Sequence, residues 1–121
     1  KEINDTLGHL VGDDLLVEAA RRISACTRET DTVARLGGDE FIFVLPDTDA
    51  HEAARLAERV LDRLRTQAFG AGAETEPFLV TATFGVAEWR SHLDARELLE
   101  CADRALYKAK AAGRNRVCID A

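Results

Sequence analysis

Two successive glycines, Gly37 and Gly38, separate two short runs that have the composition of β-strands. The runs are 32–36 and 41–45, and a glycine pair permits the positive φ angles that tight hairpin turns require. Strands joined by so short a turn pair with each other in antiparallel fashion. The sequence therefore predicts a β-hairpin with Gly37-Gly38 at its tip, and this hairpin is the strongest local constraint on the fold.

Three other segments have the apolar spacing of helices that bury one face. They are predicted over 12–26, 49–66 and 94–113, the last ending at a glycine suited to a left-handed cap. An acidic residue at the start of the second and third helices is followed three positions later by Glu, which is the pattern of a capping box. The two candidate boxes are Asp49 with Glu52 and Asp94 with Glu97.

Two more segments, 78–87 and 115–119, are rich in strand-forming residues. The element order is then helix, strand, strand, helix, strand, helix, short strand. Adjacent hairpin strands combined with crossover helices predict an α+β fold with a mixed sheet and helices packed on its faces. A chain of 121 residues fits one domain.

Charge and composition exclude several classes of function. With 16 Lys and Arg against 22 Asp and Glu, the net charge of −6 opposes a broad electrostatic grip on nucleic acid. No apolar run approaches the length that a membrane helix needs. The odd number of cysteines, without metal-ligand spacing, indicates free thiols in a reducing cytoplasm. These cysteines are Cys26, Cys101 and Cys118.

The absence of Met and the opening at Lys1, in what reads as the middle of a segment, suggest an excerpt from a longer protein. We therefore expect one domain over 1–121 that is truncated at its N-terminus.

Two adjacent carboxylates, Asp39 and Glu40, follow the glycine pair. Successive strand residues point to opposite faces, so both cannot be simple solvent residues if the sheet is covered on both sides. Carboxylates are the ligands that Mg²⁺ prefers when it carries nucleotide phosphates, and glycine lets a ligand approach the main chain. The same four residues, Gly-Gly-Asp-Glu, are explained equally well by a glycine turn whose two acids merely cap an exposed hairpin.

Five cations and no acid occur between residues 104 and 116. Of these, Lys110 and Arg114 straddle the predicted helix end, where they can converge on phosphate oxygens. Taken alone, the cluster is better explained by cations that complement the helix dipole.

A polar segment with Asn4 precedes the first helix, which is predicted to start near Asp13. Amide and carboxylate groups are the types that pair with a purine edge. If nothing else indicated a nucleotide, helix capping by Asp13 and turn formation by Asn4 would be the better explanation. There is no P-loop, nucleophile elbow or dinucleotide fingerprint.

Read together, three motifs resemble the GGDEF family of diguanylate cyclases across essentially the whole chain. The motifs are KEINDTLGH with Gly12-Asp13 at 1–13, RLGGDEF at 35–41 and ALYKAKAAGRN at 105–115. The resemblance implies condensation of two GTP molecules into cyclic di-GMP and pyrophosphate. It also implies a palm-like fold, similar to adenylyl cyclase and ferredoxin-like domains, with a mixed, largely antiparallel sheet flanked by helices.

The resemblance also implies roles for individual residues. Asn4 and Asp13 would bind guanine, Gly37 and Gly38 would admit the triphosphate, and Mg²⁺ or Mn²⁺ would be held by acids of the motif. The acids are Asp39, a metal ligand, and Glu40, a metal ligand and active-site acid close to the reacting hydroxyl. The phosphate-binding residues implied are Lys1, Lys110 and Arg114.

The tetrapeptide Arg28-Glu29-Thr30-Asp31 resembles the family's inhibitory product site and lies nine positions ahead of Gly37. There Arg28 and Asp31 would bind a guanine of cyclic di-GMP. Chance is a strong alternative for so short a pattern, but the offset from the glycine pair favours the product site.

The family's first strand, with one more metal-binding Asp, lies ahead of the position matched by Lys1. We therefore expect the 121-residue chain alone to be inactive, and the parent protein to be a cytoplasmic or membrane-anchored cyclase with sensory or EAL domains. Catalysis would need a homodimer, because each copy binds one GTP. The alternative is a catalytically silent module that binds GTP or cyclic di-GMP to regulate an attached EAL domain. A scaffold without any nucleotide site would make three matched motifs a coincidence.

Overall fold

The computed structural model describes residues 9–37, 40–66 and 79–120. These residues form three helices and four strands in the predicted order. In chain order the elements are α1 (His9–Cys26), β1 (Thr32–Gly37), β2 (Glu40–Val44), α2 (Ala50–Thr66), β3 (Phe84–Val86), α3 (Ala95–Ala111) and β4 (Val117–Ile119). The predicted α+β architecture is confirmed.

The predicted hairpin is present. Strands β1 and β2 pair antiparallel, with Val33 opposite Phe43, and the last pair of the ladder is Gly37 opposite Glu40. The register shifts between Arg35 and Gly37, as at a β-bulge, which increases the local twist next to the turn. The two residues between Gly37 and Glu40 in sequence lie outside the described residues.

The second sheet pairs β3 with β4 in parallel, with Phe84 opposite Val117. The prediction of one strand over 78–87 was wrong in extent, because only Phe84–Val86 has strand structure within the described part of that segment. Composition favours extended backbone, but a strand also needs a ladder partner, and β4 reaches only three of these residues.

Helix α1 begins at His9, earlier than predicted. Asp13 therefore lies inside the helix, and the alternative explanation that Asp13 caps it was wrong. Gly12 costs helix stability but does not stop a helix whose later residues, such as Ile23, are buried in the core.

The centre of the domain is the apolar stripe of α2. Its buried residues are Leu56, Ala57, Val60, Leu61 and Leu64. Ile23 of α1 and the inner face of the hairpin pack against part of this stripe. The rings of Phe43 and Phe84 meet edge to face at 6.1 Å between centroids, so both sheets contribute to one core.

Two hydrogen bonds fix which ends of the elements lie together. At the start of α2, the Ala50 N–H donates to Oε1 of Glu88 at 2.7 Å. At its end, Arg65 Nη1 donates to Oδ1 of Asn115 at 3.4 Å, so the end of α2 lies near the turn that follows α3. Because α2 follows β2 after only five residues and shares a core with Phe41 and Phe43 of that strand, the chain reverses between them, and α2 ends on the side of β2 where Glu40 lies. We call this the hairpin-turn end (residues 37, 40, 65 and 113–115).

The other end of the domain is the α2-start end (residues 28–31, 46–50, 88 and 120). Here the predicted capping box of α2 is formed only in part, because Asp49 Oδ1 accepts from the Glu52 N–H while Glu88 caps Ala50. The predicted capping box of Asp94 and Glu97 on α3 is complete.

Helix α3 approaches β3 at Gly85. A Cβ atom at this position would lie 2.3 Å from both the Ala102 carbonyl oxygen and the Leu106 nitrogen. Ala105 and Ala109 are fully buried on the same helix, whereas Leu99 is 41% exposed. Small residues thus bring α3 close to the sheet.

None of the described helices is long and apolar enough to cross a membrane. The three cysteines are free and half-buried.

We predict that Gly85→Ala destabilises the domain by about 1–3 kcal/mol, because the added methyl group meets rigid backbone atoms of α3 and forces the helix outward. Denaturant unfolding followed by circular dichroism measures the change. Ala34→Val, at an exposed hairpin position, is the control and is expected to change stability by less than about 0.5 kcal/mol. Equal midpoints for Gly85→Ala and the wild type would contradict the close approach.

Candidate functional site

The hairpin turn presents one of the two predicted catalytic acids. Glu40 is exposed at the first position of β2, opposite Gly37, on the same strand face as Ile42 and Val44. Within the described residues this outer face is open, since Val44 is 55% exposed. The condition under which one acid would have to be held, a sheet covered on both faces, is therefore not met at Val44, and the alternation of side chains alone assigns no role to Glu40.

Several predicted site residues lie outside the described residues. Asp39 and Gly38 of the turn are among them, as are Lys1 and Asn4 of the N-terminal motif. Asp13 is described as backbone within α1 only. Their predicted roles stay predictions.

The structure separates the five cations of the basic cluster by their partners. Arg104 makes a bidentate ion pair with Asp120, both hydrogen bonds measuring 2.9 Å. Arg116 Nε donates to the carbonyl oxygen of Arg114 at 3.0 Å. In the part of the chain that the structure describes, no hydrogen bond or ion pair engages the side chains of Lys108, Lys110 or Arg114.

The turn that ends α3 determines where Arg114 lies. Ala112 is the C-cap and Gly113 follows with φ of 123°. The Arg114 N–H donates to the Ala109 carbonyl at 3.0 Å and the Gly113 N–H donates to that of Lys110 at 3.3 Å, which is the Schellman pattern. Lys110 in the last helical turn and Arg114 just beyond it thus lie at the hairpin-turn end with Glu40.

A metal ion at this end is chemically compatible with the one acid that is described. Glu40 is exposed, and no hydrogen bond of its carboxylate occurs within the described residues, so hard oxygen ligands are open to a cation. Across 9–37, 40–66 and 79–120, no three His, Cys, Asp or Glu side chains are grouped as metal ligands. A complete metal site would thus need residues beyond these, such as Asp39.

The predicted product-site pair lies at the α2-start end, in the turn between α1 and β1. Asp31 Oδ2 accepts from the Arg28 N–H at 2.8 Å, and Asp31 Oδ1 accepts from Arg28 Nη2 at 3.2 Å. Arg28 Nη2 also lies 2.9 Å from the Pro46 carbonyl oxygen and 2.7 Å from Thr48 Oγ1. The pair therefore ties the turn after α1 to the loop after β2, a structural role that short-range sequence spacing did not reveal.

A cleft of about 550 Å³ opens beside this pair. Arg28 and Asp31 line it together with Arg55 and Arg59 from α2, which sequence reasoning missed. Their four-residue spacing places them on one side of the helix, but the sequence does not say which cleft that side faces. Asp31 is only 2% exposed at its side chain, whereas Arg28 is 57% exposed and open to a ligand.

Comparison with known proteins identifies relatives along nearly the whole chain. The family described as diguanylate cyclase, GGDEF domain, matches residues 1–116. Diguanylate cyclase A of Treponema denticola is 42% identical over 120 residues, which cover 98% of this chain and 32% of that protein. The response regulator PleD of Caulobacter vibrioides is 41% identical over 118 residues, which cover 97% of this chain and 26% of that protein. The chain thus spans about a third or less of the length of these relatives.

Solved structures agree with the fold. The GGDEF domain of DgcB from Caulobacter crescentus, in complex with c-di-GMP, has a TM-score of 0.92 at 30% identity and covers 98% of this chain and 70% of its own. Diguanylate cyclase SiaD from Pseudomonas aeruginosa, in complex with its activator SiaC, has a TM-score of 0.88 at 41% identity. That match covers 98% of this chain and 45% of SiaD.

We predict that Asp31→Asn reduces the acid sensitivity of the fold. The Arg28 N–H bonded to Asp31, with a smaller contribution from the Arg28 guanidinium, lowers the pKa of this carboxyl below its ordinary value of 3.8. A carboxylate with a lowered folded pKa stabilises the fold above its unfolded pKa, and this stabilisation is lost as the pH falls through the folded pKa. Thermal unfolding between about pH 5 and pH 2 should thus show a shallower decline for Asp31→Asn. Asp103→Asn, at an exposed site on α3, is the control, and equal slopes for wild type and Asp31→Asn would refute the prediction.

Proposed function

The chain belongs to the GGDEF family of diguanylate cyclases, and from this we propose that it binds GTP and, with a second copy facing it, forms cyclic di-GMP and pyrophosphate. The observation that carries the proposal is the pair of cations Lys110 and Arg114, which have no side-chain hydrogen bond or ion pair within the described residues and lie at the hairpin-turn end with Glu40. Arg104 and Arg116 of the same cluster are engaged by protein groups, whereas Lys110 and Arg114, like Lys108, are open, and of these Lys110 and Arg114 lie at the end of α3 and just beyond it, where a triphosphate can reach both.

The reaction forms two phosphodiester bonds. In each, a ribose 3′ oxygen of one GTP attacks the α-phosphorus of the other, the bond to the β-phosphate breaks, and pyrophosphate leaves while the hydroxyl proton passes to a base. Lys110 and Arg114 bind the phosphates and offset negative charge that moves onto the leaving group. Glu40 lies at the turn, where its carboxylate can accept a proton or a metal ion.

Glu40 and Asp39 are the acids that would hold the divalent cation, Mg²⁺ or Mn²⁺. The cation, when bound, neutralises phosphate charge and makes the 3′ hydroxyl easier to deprotonate. Gly37 and Gly38 would leave room for the triphosphate beside the main chain, and Lys1 would add a phosphate contact. Asn4 and Asp13 would select guanine through its N–H and carbonyl groups.

The proposal extends to the protein that contains this chain. Catalysis needs a homodimer because each domain holds one of the two nucleotides, and attached sensory or EAL domains would supply regulation. Relatives include a bifunctional diguanylate cyclase and cyclic di-GMP phosphodiesterase, MucR of Pseudomonas aeruginosa, 40% identical over 119 residues. We expect the 121 residues alone to be inactive and the protein to act in the cytoplasm, either free or anchored to a membrane.

The cleft at the α2-start end supports a second binding function, that of cyclic di-GMP as feedback inhibitor. Arg28, Arg55 and Arg59 supply cations for phosphate and guanine, beside four acids that also line the cleft, Asp31, Glu52, Glu58 and Asp62. This cleft is also the observation that favours the alternative of a silent module, which would bind cyclic di-GMP without making it.

We predict that Glu40→Gln in the protein that contains this chain abolishes cyclic di-GMP formation from GTP and Mg²⁺ while leaving the fold intact. The amide cannot accept the proton or neutralise the cation, and the site is exposed. Chromatographic assay of cyclic di-GMP measures the loss. Lys108→Ala, an exposed cation on α3, is expected to retain activity as the control. Undetectable product from the wild type, with cyclic di-GMP still bound, would favour the silent module instead.

We predict that Arg28→Ala relieves inhibition by cyclic di-GMP without lowering the initial rate. The lost polar contact should weaken product binding about tenfold to a hundredfold. Inhibition curves for the wild type and Arg28→Ala, measured in the same protein, test this. Overlaying curves would leave Arg28 with only its structural contacts to Pro46 and Thr48.

A further inference from the structure

The turn that carries Arg114 has an unusual backbone. Gly113, Arg114 and Asn115 all have positive φ angles, of 123°, 62° and 51°. Glycine adopts this region freely, but a residue with a Cβ atom pays a steric penalty there, and two such residues in succession persist only when the surroundings fix them.

Contacts on both sides hold this backbone. Before it, the Schellman hydrogen bonds join the Arg114 and Gly113 N–H groups to α3. After it, the Asn115 N–H donates to Thr83 Oγ1 at 3.2 Å, and Asn115 Oδ1 accepts from Arg65. Thr83 lies immediately before β3, so this hydrogen bond fastens the turn to the sheet.

The side chain of Arg114 is held by none of these contacts. It is exposed, and within the described residues no hydrogen bond or ion pair engages its guanidinium. The structure therefore fixes the backbone from which the guanidinium extends and leaves the guanidinium itself open. This is the arrangement expected when a cation must meet an anion at a defined place, because a fixed backbone lowers the entropy lost on binding.

We propose that Thr83 is a positioning residue for Arg114 in GTP binding. Its hydroxyl holds the left-handed turn one residue beyond Arg114, so that the guanidinium reaches the same phosphate oxygens as Lys110. The inference rests on the proposed function, since it assumes that Arg114 binds the triphosphate. Thr83 carries no charge and contacts no phosphate itself, so its effect must pass through the turn.

The test is a double-mutant cycle, in which calorimetry measures GTP and guanosine binding with Mg²⁺ in the protein that contains this chain. Thr83→Val should weaken GTP binding about threefold to tenfold, the equivalent of one hydrogen bond, and should leave guanosine binding unchanged. Thr83→Ser, which keeps the hydroxyl, should bind GTP like the wild type. In an Arg114→Ala background, Thr83→Val should cause no further loss.

Two outcomes would overturn the positioning role. One is a Thr83→Val variant that binds GTP like the wild type, and the other is an equal loss in the presence and absence of the Arg114 side chain. If Arg114→Ala leaves GTP affinity unchanged, the proposed function fails at this residue and the positioning role fails with it.

Asn115 provides a second test if Thr83→Val does not fold. Asn115→Gly adopts φ of 51° without strain and keeps the N–H that donates to Thr83, whereas Asn115→Val opposes that conformation. GTP should bind Asn115→Gly more tightly than Asn115→Val by about threefold or more, with guanosine binding equal in both. Equal GTP affinities would show that the left-handed turn does not matter for the phosphates.

Discussion

Burial of one face of α2 is the interaction on which the rest of the domain depends. Val60 and Leu61, the largest fully buried side chains of the described residues, lie at adjacent positions of this helix. Adjacent helical residues point in directions about 100° apart, so together they widen the buried stripe and let the helix contact more than one layer. Val60 belongs to the cluster that includes Ile23 and the inner hairpin face. The residues that carry the proposed chemistry belong to other elements and lie near the two ends of this helix.

The fold was largely predictable because its strongest signals are local. The hairpin follows from a glycine pair between two strand-forming runs, and the complete cap of α3 follows from Asp94 and Glu97. Long-range partners were not predictable in the same way. The Ala50 N–H is capped by Glu88, which lies 38 residues away in sequence, and 79–83 was expected to be strand although its partner could not be read from composition.

In the candidate site, too, local features were predictable and long-range partners were not. Spacing picked out Lys110 and Arg114 on either side of a helix end, and the Schellman turn at Gly113 is present. The spacing could not show which of the five cations are engaged by other protein groups, because Arg104 pairs with Asp120, which follows β4, and Arg116 donates to a main-chain carbonyl. Arg55 and Arg59 were missed for a related reason, since they become part of a cleft only when α2 packs beside the turn after α1.

The two ends of α2 also set how ligands can influence one another. The helix has 17 residues and is therefore about 25 Å long, with Arg28 beside the loop before its start and Arg114 beside its end. A molecule bound at Arg28 and a nucleotide bound at Arg114 therefore contact different ends of the helix, although the cleft itself reaches Asp62, which pairs with Arg65. Any effect between them is a coupling free energy, and thermodynamic linkage makes it reciprocal. If a ligand in the cleft lowers the affinity for GTP, bound GTP lowers the affinity of the cleft for that ligand by the same factor. The sensitivity of such a domain to its product would therefore fall as the cellular supply of guanine nucleotide rises.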